Sequence, residues 1–199
     1  METKNNTETD ARERDWKHRL VSYVLGARQT KGTRKKLMLG AQGQRNGAAM
    51  PLVFRFTTHR WQELPALRSA AIIAESRDLP LATKTKDGHV LSLAASIADV
   101  ARALDRANGV KFDPEKVDSF GRVINQAPLW NMEDAARQIG GLLDRGRRTK
   151  VGVNYFDLVK LLAAWDYGSP VEKRERRSRF MQDYYRRRVS FIAENEDAE

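Results

Sequence analysis

The side chains that could carry acid–base or metal chemistry are few and widely spaced. The histidines are His18, His59 and His89, and no two of them have the spacing of a metal-binding pair. Asp157 and Asp166 flank a strongly apolar segment, where a helix cap and a helix end account for them. A two-metal nuclease needs several carboxylates that converge on one site, and the sequence gives no sign of such a group. We therefore predict a protein without catalytic residues, metal or cofactor.

Several other kinds of chemistry are excluded by what the sequence lacks. It contains no cysteine, which excludes disulfides, zinc-finger ligation and thiol catalysis. The glycine-rich segment 40–47 lacks the Gly-Lys-Ser/Thr ending of a phosphate-binding loop, so it is interpreted as a flexible connection. No apolar run reaches the 18 residues of a membrane-spanning helix, and no signal-peptide core follows the start. These features predict a cytoplasmic protein.

Positive charge is the unusual property of the chain. It has 36 Lys and Arg against 26 Asp and Glu, a net charge of +10 and an isoelectric point near 10.0. Clustered cations release counterions when they bind phosphates, so this balance favours a nucleic-acid partner. The cations are concentrated in four runs: 28–36, 145–150, 173–179 and 186–188. The residues predicted to contact nucleic acid are Arg34, Lys35, Lys36, Arg147, Arg148, Lys150, Lys173, Arg174 and Arg177.

A second interpretation of these runs is that they only solvate helix surfaces. Glu172 and Glu175 offer partners to nearby cations one turn away, and cations are also favourable at a helix C-terminus. Because acidic residues do not balance the four runs locally, we favour binding to the phosphate backbone without base readout. Trp130 and the Tyr184–Tyr185 pair could stack on bases, but their helical spacing favours the core.

Hydrophobic spacing near 3.6 residues predicts an all-α fold of two small helical bundles. Residues 1–10 are predicted to be a disordered tail, 11–108 an N-terminal bundle, 113–193 a C-terminal bundle and 194–199 an acidic tail. One helix is expected from Trp61 to Glu75, with Trp61 and Leu64 on its buried side. The pair Asp113–Pro114 is expected to begin another, which buries Val117, Phe120 and Ile124.

Later signals predict three further helices. Asn131 can cap one helix, and Ser169 with Glu172 forms the clearest capping-box pattern in the chain. Between them lies a helix that is apolar over much of its circumference and is therefore predicted to be central. We expect Trp165 at its end to be a core residue, packed with Leu158, Leu162 and aromatic side chains of the final helix.

The order of these features resembles the CasB family, the small subunit of the type I-E CRISPR surveillance complex called Cascade. The resemblance covers about residues 14–188. Its most specific part is 153–166, Val-Asn-Tyr-Phe-Asp-Leu-Val-Lys-Leu-Leu-Ala-Ala-Trp-Asp, and the basic segment 31–40 also resembles the family. Two pairs of residues depart from the family pattern: Met38 and Leu39 stand where arginines are frequent, and Asp118 and Ser119 stand where a basic pair is common.

The resemblance implies an all-helical, non-catalytic subunit that is present in two copies along the inner curve of Cascade. Its expected partners are the other Cascade subunits, the guide RNA and a second copy of itself. It would stabilise the opened target DNA, including the displaced strand, by backbone contacts in antiviral defence. Two alternatives remain: a stand-alone, sequence-tolerant RNA- or DNA-binding protein, and an assembly scaffold whose charge serves solubility.

Overall fold

The computed structural model describes residues 16–85 and 87–196, without the side chains of residues 44, 45 and 191–196. The predicted tail 1–10 lies outside the described residues. Across the described ranges the chain is helical and forms no β-strand, only the isolated bridges Leu81–Val153 and Lys84–Val90. The all-α prediction is confirmed. The helices are α1 (described over 16–27), α2 (Lys31–Met38), α3 (Met50–Val53), α4 (Arg60–Glu75), α5 (Leu93–Ala107), α6 (Ser119–Ile124), α7 (Met132–Arg145), α8 (Tyr155–Ala164) and α9 (Pro170–Glu196).

Two of the predicted helix starts are confirmed by their capping hydrogen bonds. The Asn131 side chain accepts from the Asp134 amide at 2.8 Å, at the start of α7. At the start of α9 the Ser169 amide donates to the Glu172 carboxylate at 2.7 Å, and the Glu172 amide donates to the Ser169 hydroxyl at 3.3 Å. Such caps satisfy amides that have no partner within the helix.

The predicted start of α6 is wrong by five residues. Asp113 accepts from the Glu115 amide in a turn, and Val117, which was expected in the core, is 49% exposed. The cap is Asp118, whose carboxylate accepts from the Gly121 amide at 2.5 Å. Asp113 and Asp118 are both aspartates and so equally suited to cap a helix. Asp118 is the observed cap, and it also contacts Tyr184 and Arg188 of α9.

Trp165 lies at the centre of the core, as predicted. It is fully buried, and its indole N–H donates to the Trp130 carbonyl at 3.0 Å. The Trp130 ring stacks against it at 6.2 Å, and Phe180 of α9 meets it edge-on at 5.7 Å. These ring contacts join α8, α9 and the segment before α7 into one aromatic cluster, and their spacing is typical of stabilising aromatic pairs.

The buried side chains of both predicted bundles form one hydrophobic cluster. In it, α4 packs against α7 and α8, and α5 packs along α9. The boundary predicted at 108–113 falls in the loop between α5 and α6. The division into two bundles therefore stays a prediction. The helix α9 continues to Glu196, into the segment predicted as the acidic tail, whose bounds stay a prediction.

Two buried arginines join α4 to neighbouring segments of the chain. Arg28, which precedes α2, donates to the carbonyls of Ser76 and Leu79 at 3.2 Å, beyond the C-terminal end of α4. Arg68, within α4, pairs with both carboxylate oxygens of Glu133 at 2.6 and 2.7 Å. Arg68 also donates to the Gly40 carbonyl, which follows α2. As a result α2 runs antiparallel to α4, and the start of α7 is fixed beside the middle of α4.

Candidate nucleic-acid interface

The first predicted cluster lies on α2. Leu37 is fully buried and anchors the helix, whereas Lys35 and Lys36 are exposed and Arg34 is partly buried. Among the described residues these three cations have no ion pair and no side-chain hydrogen bond. Lys35 and Lys36 occupy the last turn of α2, where the helix dipole favours positive charge. The helix therefore presents cations to solvent that are available to an anionic ligand.

The second cluster follows α7. Arg147 pairs with Asp144 at 3.3 Å, whereas Arg148 and Lys150 are exposed and have no partner among the described residues. Lys150 adopts a left-handed backbone with a φ of 56°, a conformation that residues other than glycine seldom adopt. This turn ends the basic loop and directs the chain into the segment before α8.

The pKa of Glu75, at the end of α4, is influenced by a residue of the same cluster. Burial and the neighbouring Asp144 raise the pKa of the Glu75 carboxyl, and Arg147 opposes them. Arg147 therefore lies near the C-terminal end of α4, which is also the end that Arg28 joins to the start of α2.

The third cluster, at the start of α9, divides into exposed and structural cations. Arg174 is exposed and Lys173 partly so, and neither has a partner within the described part of the chain. Arg177 has a side chain that is only 18% exposed. It pairs with Asp166 at 2.8 Å and donates to the Pro128 carbonyl at 3.1 Å. Arg177 therefore joins α9 to the segment before α7 and to the end of α8, although the sequence predicted it as a phosphate ligand.

The second and third clusters lie at opposite ends of α7. The Asp166 carboxylate that pairs with Arg177 also accepts from the Met132 amide at 2.7 Å, at the first residue of α7. The loop with Arg148 and Lys150 follows the last residue of the same helix. Since α7 has 14 residues, its length is about 21 Å at 1.5 Å per residue. The predicted cations form an extended series rather than one compact patch.

The fourth basic run, 186–188, turns mainly inward. Arg188 is 1% exposed and pairs with Asp105 at 2.5 Å and Asp118 at 2.8 Å. Arg187 pairs with Asp99 at 2.9 Å. The interpretation of this run as a surface cluster is therefore wrong for these two residues. The same correction applies to Arg28, since its guanidinium donates hydrogen bonds to main-chain carbonyls.

The exposed aromatic residues are not the ones the sequence suggested. Trp130 and Tyr184 are buried, which confirms their assignment to the core. Trp61, predicted on the buried side of α4, is 48% exposed, and its ring stacks at 5.9 Å on that of Tyr167, which is 69% exposed. Sequence reasoning missed this surface pair because Tyr167 lies in the α8–α9 loop, far from α4 in sequence.

The described ranges contain no candidate metal centre. Within them, no group of three or more His, Cys, Asp or Glu side chains could hold a metal ion. None of the described helices is long and apolar enough to span a membrane.

Comparison with protein families gives one match, which covers most of the chain. The family of CRISPR-associated protein Cse2 (CRISPR_cse2) matches residues 32–185. The chain belongs to the Cse2 family. This is the same family as CasB, so the resemblance in the sequence is confirmed. All the predicted cations, from Arg34 to Arg177, lie inside the segment that matches the Cse2 family.

The Cse2-family chain also resembles solved structures. Two of them are described as "CRISPR RNA-guided surveillance complex" and "CRISPR RNA-guided surveillance complex, pre-nicking", with TM-scores of 0.66 and 0.69 and sequence identities of 18% and 19%. Each comparison covers 92% of this chain and 98% of the other. At these identities the similarity is one of fold. No curated protein sequence matches the chain.

The departures from the Cse2-family pattern have structural reasons in this chain. Met38 is partly buried and packs against the hydrophobic core, where an arginine would have to leave its guanidinium unsolvated. Asp118 caps α6 and pairs with the buried Arg188. A basic residue at position 118 would lose both contacts.

Proposed function

We propose that this chain is a non-catalytic subunit of a CRISPR RNA-guided surveillance complex, Cascade. In this role it holds the opened target DNA, including the displaced strand, by contacts to the phosphate backbone. Its partners are the other subunits, the guide RNA, the target DNA and a second copy of the same chain. Membership of the Cse2 family supports this assignment, and the fold similarity to surveillance-complex chains agrees with it.

The observation that carries the proposal is a contrast between two kinds of cation. Arg28, Arg177 and Arg188 bind carbonyls and carboxylates of the protein itself. A second group is unpaired among the described residues and at least partly exposed: Arg34, Lys35, Lys36, Arg148, Lys150, Lys173 and Arg174. Cations that the protein's own acidic residues leave unpaired are available to neutralise phosphates and release their counterions.

Backbone contacts suit the task of holding an opened duplex. The exchange of a DNA duplex for an RNA–DNA hybrid is nearly balanced in free energy, so modest contacts to one strand can shift it. Phosphate contacts do not depend on base sequence, which leaves recognition to the guide RNA. Clusters separated by the length of α7, about 21 Å, can follow a strand over several nucleotides, whose phosphates are about 3.4 Å apart along a duplex axis.

The experiment that tests the proposal measures binding of single-stranded DNA as a function of salt. Replacement of Lys35 and Lys36 by alanine should lower the slope of log affinity against log salt by about 0.7 for each lost phosphate contact. The loss should be equal for strands of unrelated sequence. The matched control replaces Lys111 and Lys116, which removes the same charge from the loop before α6 and should leave the slope unchanged.

The assembled complex separates the proposal from its alternatives. The Lys35 and Lys36 variant should weaken opening of a target duplex while guide-RNA loading stays intact. A chain that binds strands in isolation but never joins a guide-RNA complex would be a stand-alone binding protein. Full strand opening by a variant with all three clusters reversed in charge would instead identify an assembly scaffold.

A further inference from the structure

Three aromatic rings lie in series on the surface where α4 begins. The Trp61 ring stacks against Tyr167 of the α8–α9 loop with centroids 5.9 Å apart and planes inclined by 27°. On the same helix end, His59 and Trp61 have centroids 6.4 Å apart and planes inclined by only 9°. We call His59, Trp61 and Tyr167 the aromatic ladder. Its rings are close to parallel, like successive bases in a nucleic-acid strand.

The ladder is exposed, unlike the other tryptophans of the chain. Trp61 is 48% and Tyr167 69% exposed, whereas Trp16, Trp130 and Trp165 are at most 4% exposed. A solvent-exposed indole forgoes most of the free energy that its burial would give. The fold keeps two large rings together at the surface, and the core does not account for this arrangement.

Main-chain contacts hold the ladder in place. The Tyr167 carbonyl accepts from the Arg176 guanidinium at 3.1 Å, and the Tyr167 amide donates to Ala164 at 3.0 Å. Gly168, the next residue, has a φ of 93°, which a residue with a Cβ adopts only with strain. These contacts restrict the backbone of the loop, and they hold Tyr167 beside Trp61.

Cations precede and follow the ladder residues along the chain. Arg60 is exposed at the first residue of α4, directly before Trp61. The first turns of α9, which carry Lys173 and Arg174, follow Tyr167 through the loop that Ser169 and Glu172 close. Surfaces that bind single strands without sequence preference combine a cationic groove with rings on which bases stack.

We propose that bases of single-stranded nucleic acid stack on the ring surfaces that the aromatic ladder leaves exposed, while the neighbouring cations hold its phosphates. This inference rests on the proposed function and adds a second kind of contact to it. Charge favours a nucleic acid over a protein partner, because the exposed Arg60 directly precedes Trp61 and the cations Lys173 and Arg174 follow Tyr167 along the chain. The contact is tolerant of sequence, since every base has a π-face.

Tryptophan fluorescence tests the stacking directly, since Trp61 is the one exposed tryptophan of the described residues. Titration with oligothymidylate should quench the part of the emission that the Trp61→Phe variant lacks. An abasic strand of equal length offers the same phosphates and no bases, and it should bind without that quenching. Equal quenching by the two strands, or none by either while both bind, would overturn the inference and leave the proposed function standing. A failure of both strands to bind would contradict the proposed function.

Affinity gives the second readout. Trp61→Leu keeps an apolar side chain and should weaken oligothymidylate binding about 5- to 150-fold, which corresponds to about 1–3 kcal/mol for a stacked base. The salt slope should not change, because no phosphate contact is lost. Trp61→Phe should recover part of the affinity, and Leu129→Ala, at another exposed apolar residue, should bind like the wild type. If Trp61→Leu binds DNA normally but fails to enter the assembled complex, the ladder is a protein contact and the inference is wrong.

Discussion

Asp118 and Arg188 form an ion pair in which the arginine is almost entirely buried, with 2.8 Å between a carboxylate oxygen and a guanidinium nitrogen. Asp118 also caps α6, and it accepts from the Tyr184 hydroxyl at 2.9 and 3.0 Å. Burial, assisted by the charge of Asp118, raises the pKa of the Tyr184 hydroxyl above its ordinary range, so the phenol remains a donor even at alkaline pH. One carboxylate thus joins the start of α6 to two positions of α9.

Two substitutions at Asp118 should separate its charge from its capping role. Asp118→Asn retains a side-chain oxygen that can cap α6 but leaves the buried Arg188 with Asp105 alone. We expect a loss of about 1–3 kcal/mol in the free energy of unfolding. Asp118→Ala should lose about 1 kcal/mol more, the usual worth of a helix cap. Urea denaturation measures both, and equal losses would show that the cap contributes nothing.

Trp165→Ala should destabilise the protein by about 3–5 kcal/mol, the usual cost of emptying a large aromatic site. The indole is fully buried between Trp130 and Phe180. Trp165→Phe should cost less, because it loses mainly volume and the hydrogen bond to the Trp130 carbonyl. The measurement is the midpoint of urea denaturation. A midpoint unchanged by the alanine substitution would mean that the ring does not support the core.

The fold was largely predictable because hydrophobic period and caps are local signals. α7 follows its pattern throughout: Asn131 caps it, and Ile139 and Leu143 are buried as expected. The failures have tertiary causes. Trp61 fits the apolar side of α4 by spacing, yet the neighbouring Gln62 is the side chain buried in the first turn of α4, and the Trp61 ring meets the loop residue Tyr167 instead. Hydrophobic periodicity predicts which face of a helix a residue lies on, but not how deeply its side chain is buried.

The interface was predictable as a set of basic runs and less so residue by residue. Arg174 and Arg177 are equivalent in the sequence, but only Arg177 reaches Asp166 and Pro128. The run at 186–188 illustrates the same point, because the acidic partner of Arg187 is Asp99, 88 residues earlier. A local count of charges cannot include such partners, so it overestimates the cations that are free for a ligand.

Asp183 should give a stability that depends on pH. It lies in a cleft of about 230 Å³ between α8 and α9, with Asp157, Lys160 and Arg179 also lining it. Burial raises the pKa of the Asp183 carboxyl, and Asp157 adds to this, whereas Arg186 and Arg179 oppose it. Because the folded pKa exceeds the unfolded one, the carboxylate costs stability above the folded pKa, and this cost disappears as pH falls towards the unfolded pKa.

The test of this pH dependence is Asp183→Asn, which should raise the urea midpoint at pH 7. The difference from the wild type should vanish near the unfolded pKa of about 3.9. Asp113→Asn is the control with the opposite sign, because the hydrogen bond from Lys116 lowers the pKa of Asp113. That variant should lower the midpoint at neutral pH. A lower midpoint for Asp183→Asn would show that a cation stabilises this carboxylate more than burial penalises it.

Stability and strand binding should separate within the basic start of α9. Replacement of Lys173 and Arg174 by alanine removes cations that have no partner among the described residues. The free energy of unfolding should change by less than about 0.5 kcal/mol, as for most surface substitutions. The salt slope of single-strand binding should fall by about 0.7 for each phosphate contact.

Arg177→Ala should behave in the reverse way. It breaks the pair with Asp166 and the hydrogen bond to Pro128, which should cost about 1–2 kcal/mol, since Asp166 is partly solvated. The salt slope should stay close to that of the wild type, because the Arg177 guanidinium is already engaged. Urea denaturation and salt-dependent binding of one oligothymidylate, measured on both variants, decide the matter. If Arg177→Ala lowers the slope and the double variant does not, the phosphates approach α9 from the side of Asp166. The exposed cations of its first turns would then lie away from the strand.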